Sequence, residues 1–453
     1  MKKLLAIVLA VLMVISMVAC ANTAAPAEPE APAQTPAEKP AEKPADPPAA
    51  SAEPQKMTIM MYTNTAIVDQ IASLIVPFEE ANNVDVDIIL VSLEDYDTKL
   101  STMVSSGESP DVMLVAEYQN VQYTAENMLL DLTDMVADPE YDWEDFAAGQ
   151  RSHWTFDGKV YGIACSGAPL VMFYNKTLYE QAGLVTPTEL YEKGEWTAEV
   201  MLDHAKKIAA LGDGVYGIDF SRAGDWANWD VVMSPVLRLF GGDAWNDADH
   251  TEIRFNSAAS IKGLEALNEL MTTGVHPQAG TTIDFLAGKL GLWPQLWGSI
   301  KTLVDLPFEW DMVPMPVNAD GGSTSWMGSA AWGAMSTSDT PELAIELVKF
   351  MTTKQFIEDM QFTFVPTRKS VQLSEAYTTG NFGQIVRSTN EKAHGWIVEA
   401  IDPIRVKQSH ANYQELSEVI KEGLDLMYAG AMSPAEAAEY VAENMEPYMD
   451  GSK

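Results

Sequence analysis

Several tryptophans of this chain stand beside amides and carboxylates, in stretches that do not read as apolar helix faces. Trp226 and Trp229 belong to Gly224-Asp225-Trp226-Ala227-Asn228-Trp229-Asp230. Trp293 and Trp297 flank Pro294-Gln295 just past the strand-like stretch 290–292, and Trp326 follows Gly321-Gly322-Ser323-Thr324-Ser325. An indole ring offers a flat apolar face, and the neighbouring Asp, Asn and Gln offer donors and acceptors. That pairing suits a carbohydrate, whose C–H faces lie on aromatic rings while its hydroxyls bond at the ring edge of a concave site. Trp226, Asn228, Trp229, Trp293, Trp297 and Trp326 are therefore candidate ligand contacts. The alternative for each ring is a large core residue with one N–H partner. Trp143 and Trp310 are assigned to that alternative.

Chemistry that makes or breaks bonds is harder to find. The sequence has no HExxH, P-loop, GxSxG or CxxC pattern. Its six histidines, at 153, 204, 250, 276, 394 and 410, show no ligand-like spacing. Neither a metal nor a cofactor is expected. His204 falls inside the helical stretch 197–211 as a packing or surface residue. Cys165 has no obvious partner and reads as a buried, inert thiol. Gly212-Asp213-Gly214-Val215-Tyr216-Gly217 satisfies G-x-G-x-x-G, but a dinucleotide loop has to follow a strand and open a helix. Here the helix comes first and a strand, 216–220, follows. With 65 acidic residues, neighbouring carboxylates carry almost no information, so a glycosidase pair stays open as an alternative.

The elements that must position these residues are legible from periodicity. The apolar run 56–62 reads as a strand, and Ile67, Ile71, Leu74, Ile75 and Phe78 recur at helical spacing. Residues 84–91 form a second strand, Tyr96, Leu100, Met103 and Val104 line a second helix, and Val112 to Val115 follow Pro110-Asp111 as a third strand. This alternation predicts a parallel sheet covered on both faces. Ligands of such sheets gather beyond the carboxyl ends of the strands, where loops and helix N-termini converge. Tyr62 to Asn64 and Glu117 to Gln119 fall there, at a cleft edge. Later helices are bounded by Ser257 and Gly274, by Thr340-Pro341, and by the capping box that opens at Ser433-Pro434-Ala435-Glu436.

A formal charge of −37 leaves no positive footprint for nucleic acid or anionic lipid. The stretch 57–453 is too long for one ordinary core and fits two lobes. At the N-terminus, Lys2 and Lys3, the apolar run 4–18 and Ala19 read as an export signal. A small residue followed by Cys20 resembles a bacterial lipoprotein signal, in which Cys20 is lipidated. Residues 20–56 alternate Ala and Pro with Glu and Lys, a disordered tether with a reach of roughly 110 Å at ~3.1 Å per residue. The expectation is a globular body anchored by lipid on the extracellular face of the cell membrane. Only Cys20 and Cys165 are present, so a lipidated Cys20 leaves no intrachain disulfide.

Four stretches together resemble the extracellular solute-binding proteins of ABC importers, in the sugar-binding group that includes maltose-binding protein. They are Ser109-Pro110-Asp111-Val112 ahead of Leu129 to Leu132; Asp157-Gly158-Lys159-Val160-Tyr161-Gly162-Ile163 with Phe173-Tyr174-Asn175-Lys176 and Ala182-Gly183; Phe285-Leu286-Ala287-Gly288-Lys289 running into Trp297; and Pro341 to Met351 with Val365-Pro366-Thr367-Arg368. The resemblance implies an α/β, two-lobed fold of the type II periplasmic-binding-protein kind, with hinge strands and a cleft. Lobe 1 would hold 57–165 plus 330–372, and lobe 2 would hold 166–329 plus 373–453. It further implies a monomeric, non-enzymatic receptor that captures a sugar or oligosaccharide and delivers it to the importer's transmembrane subunits. By order, Glu117, Tyr118 and Gln119 match the family's ligand-contacting loop, Tyr62 and Asn64 follow the first strand, and Ser166 sits at the first crossing. This chain is one residue short of the family pattern between Lys289 and Trp297, so Trp293 and Trp297 compete for one place. Another solute, such as a polyamine or glycerol phosphate, a surface glycosidase and an adhesion or scaffold protein are the alternatives.

Overall fold

A computed structural model describes residues 53–212, 214–220, 230, 233–246, 251–278, 281, 285–303, 305–318, 321–360, 365–379, 392–401, 406 and 409–449. Cys20 and the tether lie outside them. The chain begins its sheet with β1 (Gln55–Met61), which runs parallel to β2 (Val84–Leu90) on one side and β3 (Val112–Ala116) on the other. Between β1 and β2, the Thr65–Asn82 helix buries Ile71, Ile75 and Phe78 at spacings of four and three, the stripe that its sequence periodicity predicts. The Tyr96–Ser106 helix buries Tyr96, Leu100 and Met103. Every residue of β3 is buried, as a strand covered on both faces requires. Asp111, just ahead of it, accepts from the Thr58 amide (2.8 Å) and from the Ser338 and Thr340 hydroxyls. That carboxylate ties the first strand to a segment far along the chain. It also explains why Thr340, expected as a helix cap, leaves the Pro341–Met351 helix without a side-chain cap.

After the short hairpin of β4 (Thr155–Phe156) and β5 (Lys159–Val160), the 13-residue β6 (Ile163–Asn175) runs from one lobe into the other. Beyond it come β7 (Tyr216–Ile218), β8 (Leu290–Leu296), β9 (Trp310–Pro314) and β10 (Met327–Ala334). The first half of β6 pairs antiparallel with β10, which also pairs with β3. The second half is flanked by β8 and β9, and β7 lies parallel outside β8. The strand order is β2-β1-β3-β10-β6-β8-β7, with β9 paired to β6.

Two main apolar cores flank this strand. One gathers Met57, Ile59, Ile75, Val112, Ile163, Trp332, Leu347 and Met351 around the first strands. The other gathers Leu170, Met172, Met201, Leu264, Ile420, Leu424 and Val441 under the Ala258–Thr272, Tyr413–Tyr428 and Pro434–Met445 helices. At the crossing, the Gly167 amide donates to Val365 O (3.3 Å) and the Thr367 hydroxyl to Ala164 O (2.8 Å). Here the register slips: Ala330 pairs with Ser166 but Ala331 with Ala164. Bulges of this kind bend a strand and raise its twist.

The G-x-G-x-x-G stretch does follow a helix, Ala198–Ala209, and runs into β7. A Cβ on Gly217 would stand 2.0 Å from the Ala205 carbonyl oxygen. That glycine lets helix and strand approach; it does not cradle a phosphate. The Ser433 capping box is formed in both directions. Cys165 is buried, its thiol donating to Ala330 O at 3.4 Å, and burial raises its pKa. Among the described residues, no helix is long and apolar enough to cross a membrane.

Candidate functional site

The carboxyl ends of β1 and β3 bring Tyr62, Glu117 and Tyr118 to one edge. Half-buried Tyr62 packs edge-on against Tyr96, ring centroids 5.3 Å apart. Burial first, and the Glu117 carboxylate second, hold the Tyr62 hydroxyl well above its usual pKa. The backbone of Glu117 is fixed from two sides: its amide donates to Ser329 O (3.2 Å), and His153 Nε2 donates to its carbonyl (3.0 Å). Ser329 in turn accepts from the Trp154 indole through its hydroxyl at 3.2 Å. Ser166 is half-buried in β6, opposite Ala330.

Two neighbours in this wall face elsewhere. Gln119 is 2% exposed, accepting from the Ala116 amide (2.9 Å) and donating to Asp97 (2.7 Å). Its amide closes the turn after β3. Asn64 is the N-cap of the Thr65–Asn82 helix, with its oxygen accepting from the Ile67 amide at 3.2 Å. Capping uses the oxygen that the sequence reading gave to a ligand.

The tryptophans differ more sharply from expectation. Trp297 is fully buried at the start of the Trp297–Thr302 turn, edge-on to Tyr377 at 6.2 Å. Trp293 lies within β8 opposite Phe173, and Phe285 stacks on its ring at 5.2 Å. Of the two alternatives for one family position, Trp297 is thus covered by other side chains, whereas Trp293 stays half-buried with Phe285 on its ring. Trp326 is 3% exposed, with the Arg238 guanidinium 3.6 Å above its ring. Arg238 is itself buried and ion-paired with Asp243 at 2.7 Å. The reason is common to the three: each directly adjoins or lies within a strand and packs into an apolar cluster, Trp326 into the second core and Trp293 and Trp297 into a third one with Phe173, Phe285 and Tyr377, where a large ring gains more by packing than by exposure. Trp226, Asn228 and Trp229 lie outside the described residues.

The root of that Trp226–Trp229 segment is nevertheless held firmly. His276 is fully buried, donates from Nδ1 to Pro277 O (2.6 Å) and accepts the Phe220 amide on Nε2 (2.8 Å). This arrangement requires the neutral ring. Burial lowers its pKa, and the adjacent Asp219 carboxylate opposes that shift.

The residue that the sequence gave no signal for is Tyr413. It opens the Tyr413–Tyr428 helix, stacks on Tyr118 with centroids 5.1 Å apart and planes at 22°, and donates its hydroxyl to buried Asp230. The two tyrosines stand beside a cavity of about 840 Å³ lined also by Asp97, Ser101, Gln122, Glu126, Asn412 and Glu415. A lone tyrosine at a helix start is ordinary in sequence; only the tertiary fold brings it to Tyr118. Among the described residues, no cluster of three or more His, Cys, Asp or Glu is placed to hold a metal.

A family model described as bacterial extracellular solute-binding protein matches residues 73–382. The chain belongs to that family. A binding protein of Brucella abortus is 28% identical over 210 residues, 46% of this chain and 47% of that protein. The chain thus matches roughly half the length of such curated relatives. The maltodextrin-binding protein of Bacillus subtilis is 23% identical over 319 residues, 66% of this chain and 70% of that protein. Among solved structures, the cyclic alpha-maltosyl-1,6-maltose binding protein from Arthrobacter globiformis aligns with a TM-score of 0.73 at 21% identity. The alignment covers 88% of this chain and 100% of that one. At that identity the likeness is one of fold, and it is the two-lobed solute-binding fold that the crossing strands build here.

Proposed function

We propose that this solute-binding protein captures a sugar or oligosaccharide between its lobes and hands it, unchanged, to the transmembrane subunits of an ABC importer. The observation that carries the reading is the cavity walled by Tyr118 from the first lobe and by Tyr413 from the second. Its lining mixes aromatic faces with hydroxyl, amide and carboxylate groups, the inventory that sugar C–H faces and hydroxyls require. The maltodextrin- and cyclic-maltose-binding relatives support the same solute class. Tyr62, Glu117 and Ser166, which do not line that cavity themselves, are proposed as further contacts from the strand ends, and Trp226, Asn228 and Trp229 for the opposite side. The protein works as a monomer without cofactor, held at the outer membrane face by a lipid on Cys20. Lobe 1 comprises 57–165 and 330–372, and lobe 2 comprises 166–329 and 373–453.

A second reading rests on charge. The described lining of the cavity holds Asp97, Glu126 and Glu415 and no Lys or Arg, which favours a cationic solute such as a polyamine stacked on tyrosine. A thermal-shift screen over maltodextrins, polyols, polyamines and glycerol phosphate separates the two, because binding to the native state raises its melting temperature. A shift with saccharides alone supports the first reading; a shift with polyamines alone replaces it. Conversion of the bound saccharide by purified protein overturns the receptor assignment. For the anchor, Cys20→Ser should abolish detergent-extractable membrane association, and unchanged association removes that part of the proposal.

A further inference from the structure

We infer that Tyr413 is a closing latch, a side chain that holds the two lobes together before any solute arrives. The inference rests on the reading of two lobes that close on a solute, and it adds a residue that sets how readily they close. Tyr413 makes the two contacts expected of a bound sugar residue. Its flat face lies on Tyr118 of the first lobe, 5.1 Å between centroids, and its hydroxyl donates to Asp230.

The base of the latch is rigid on both sides. Leu416, Ile420, Leu424 and Met427 bury one face of its helix in the second core. Just ahead of it, the Asn412 amide donates to His410 Nδ1 (3.0 Å) and the Asn412 side chain donates to Tyr448 O (2.7 Å). Asp230 is held by the Ser234 hydroxyl, which donates to its carbonyl at 2.8 Å. Tyr118 follows directly on Glu117, whose backbone is fixed from two sides. The ring-on-ring contact spans the gap between the lobes, so hinge opening separates Tyr413 from Tyr118 while leaving the Asp230 bond within lobe 2. The hydroxyl bond therefore aims the ring, and the stack does the holding. The cavity beside the pair remains open to a ligand, so the latch forms a wall of the site and does not plug it.

Closure and binding are then coupled in a defined direction. Apparent affinity scales with the fraction of protein already in the binding-competent state. The test uses small-angle scattering of the ligand-free body and titration with maltotetraose, for wild type, Tyr413→Ala, Tyr413→Phe and Tyr118→Ala. Both alanine variants should show a larger ligand-free radius of gyration and roughly tenfold weaker binding, while Tyr413→Phe keeps the stack and loses about threefold. The double alanine variant should be no worse than either single one, because both break one contact. Tyr118→Ala lies outside the 413–428 helix, so it tests the latch even where Tyr413→Ala damages that helix. An unchanged ligand-free radius in both alanine variants overturns the latch. A wild type that ignores maltotetraose while the alanine variants still expand overturns the sugar reading and leaves the latch standing.

Discussion

The two walls of the site behave in opposite ways. In the first lobe, Tyr62, Glu117 and Tyr118 stand where the ends of β1 and β3 place them, with the Glu117 backbone tied down from two sides and the Tyr62 ring packed on Tyr96. In the second lobe, Trp297 is buried in the core, Trp326 lies under Arg238, and half-buried Trp293 packs on Phe285. Strand ends are fixed by topology, since a parallel sheet has to deliver its loops to one edge. A tryptophan is not fixed in this way. It goes wherever most of its surface is covered, and beside a strand that place is the core. Topology brings Tyr62, Glu117 and Tyr118 to one edge; residue type alone does not say where a tryptophan goes.

Trp297→Ala tests this contrast most severely. Truncating a fully buried tryptophan should cost about 3–5 kcal/mol of stability, read by chemical denaturation, with saccharide affinity of the folded fraction unchanged. A stable variant that has lost affinity reverses the assignment of the two walls. The mirror experiment is Glu117→Gln. A hydrogen bond to a charged group contributes about 1.5–3 kcal/mol, so affinity should fall at least tenfold or so while the melting temperature barely moves. Loss of stability without loss of affinity would make Glu117 a structural residue.

His276 probes the tryptophan-bearing segment, because its ring accepts the Phe220 amide just ahead of that segment. Its pKa is lowered in the folded state, so the unfolded chain takes up the proton first. Its contribution is complete above the ordinary histidine value of about 6.5 and shrinks as the pH falls below it. His276→Asn should cost about 1–3 kcal/mol at pH 7.5, and the stability gap between variant and wild type should narrow toward pH 5. A gap independent of pH rules out the neutral ring. The smallest effect belongs to Asn64→Ala. It removes a helix cap worth about 1 kcal/mol and leaves affinity as it was; weaker binding at full stability would return Asn64 to the ligand.

Much of the first lobe was legible because its signals are local. The periodic stripe of Ile71, Ile75 and Phe78, the run 112–116 and the Ser433 capping box each specify an element within a few residues. The helix-before-strand order around Gly212 excluded a nucleotide loop for the same reason. What was not legible depends on partners distant in sequence. Arg238 covers Trp326, Tyr377 covers Trp297, and Tyr413 meets Tyr118. Gln119 and Asn64 were misplaced for a different reason. Their polar side chains close turns and caps next to the site, and a sequence does not distinguish a backbone's need for an acceptor from a ligand's.

The pairing of β10 with β3, Ala330 against Ala116, also governs the order in which the molecule can be assembled. A ribosome emits β1, β2 and β3 early, but the strand that covers the free edge of β3 emerges only after the whole middle of the chain. The Pro341–Met351 helix, which packs Leu347 and Met351 into the same core, emerges later still. Until then the nascent first lobe is an unfinished sheet with an open edge, a template for wrong pairings. Contacts of such long sequence separation also fold slowly. The lobe begun first is therefore closed only after the whole stretch between β3 and β10 has been made.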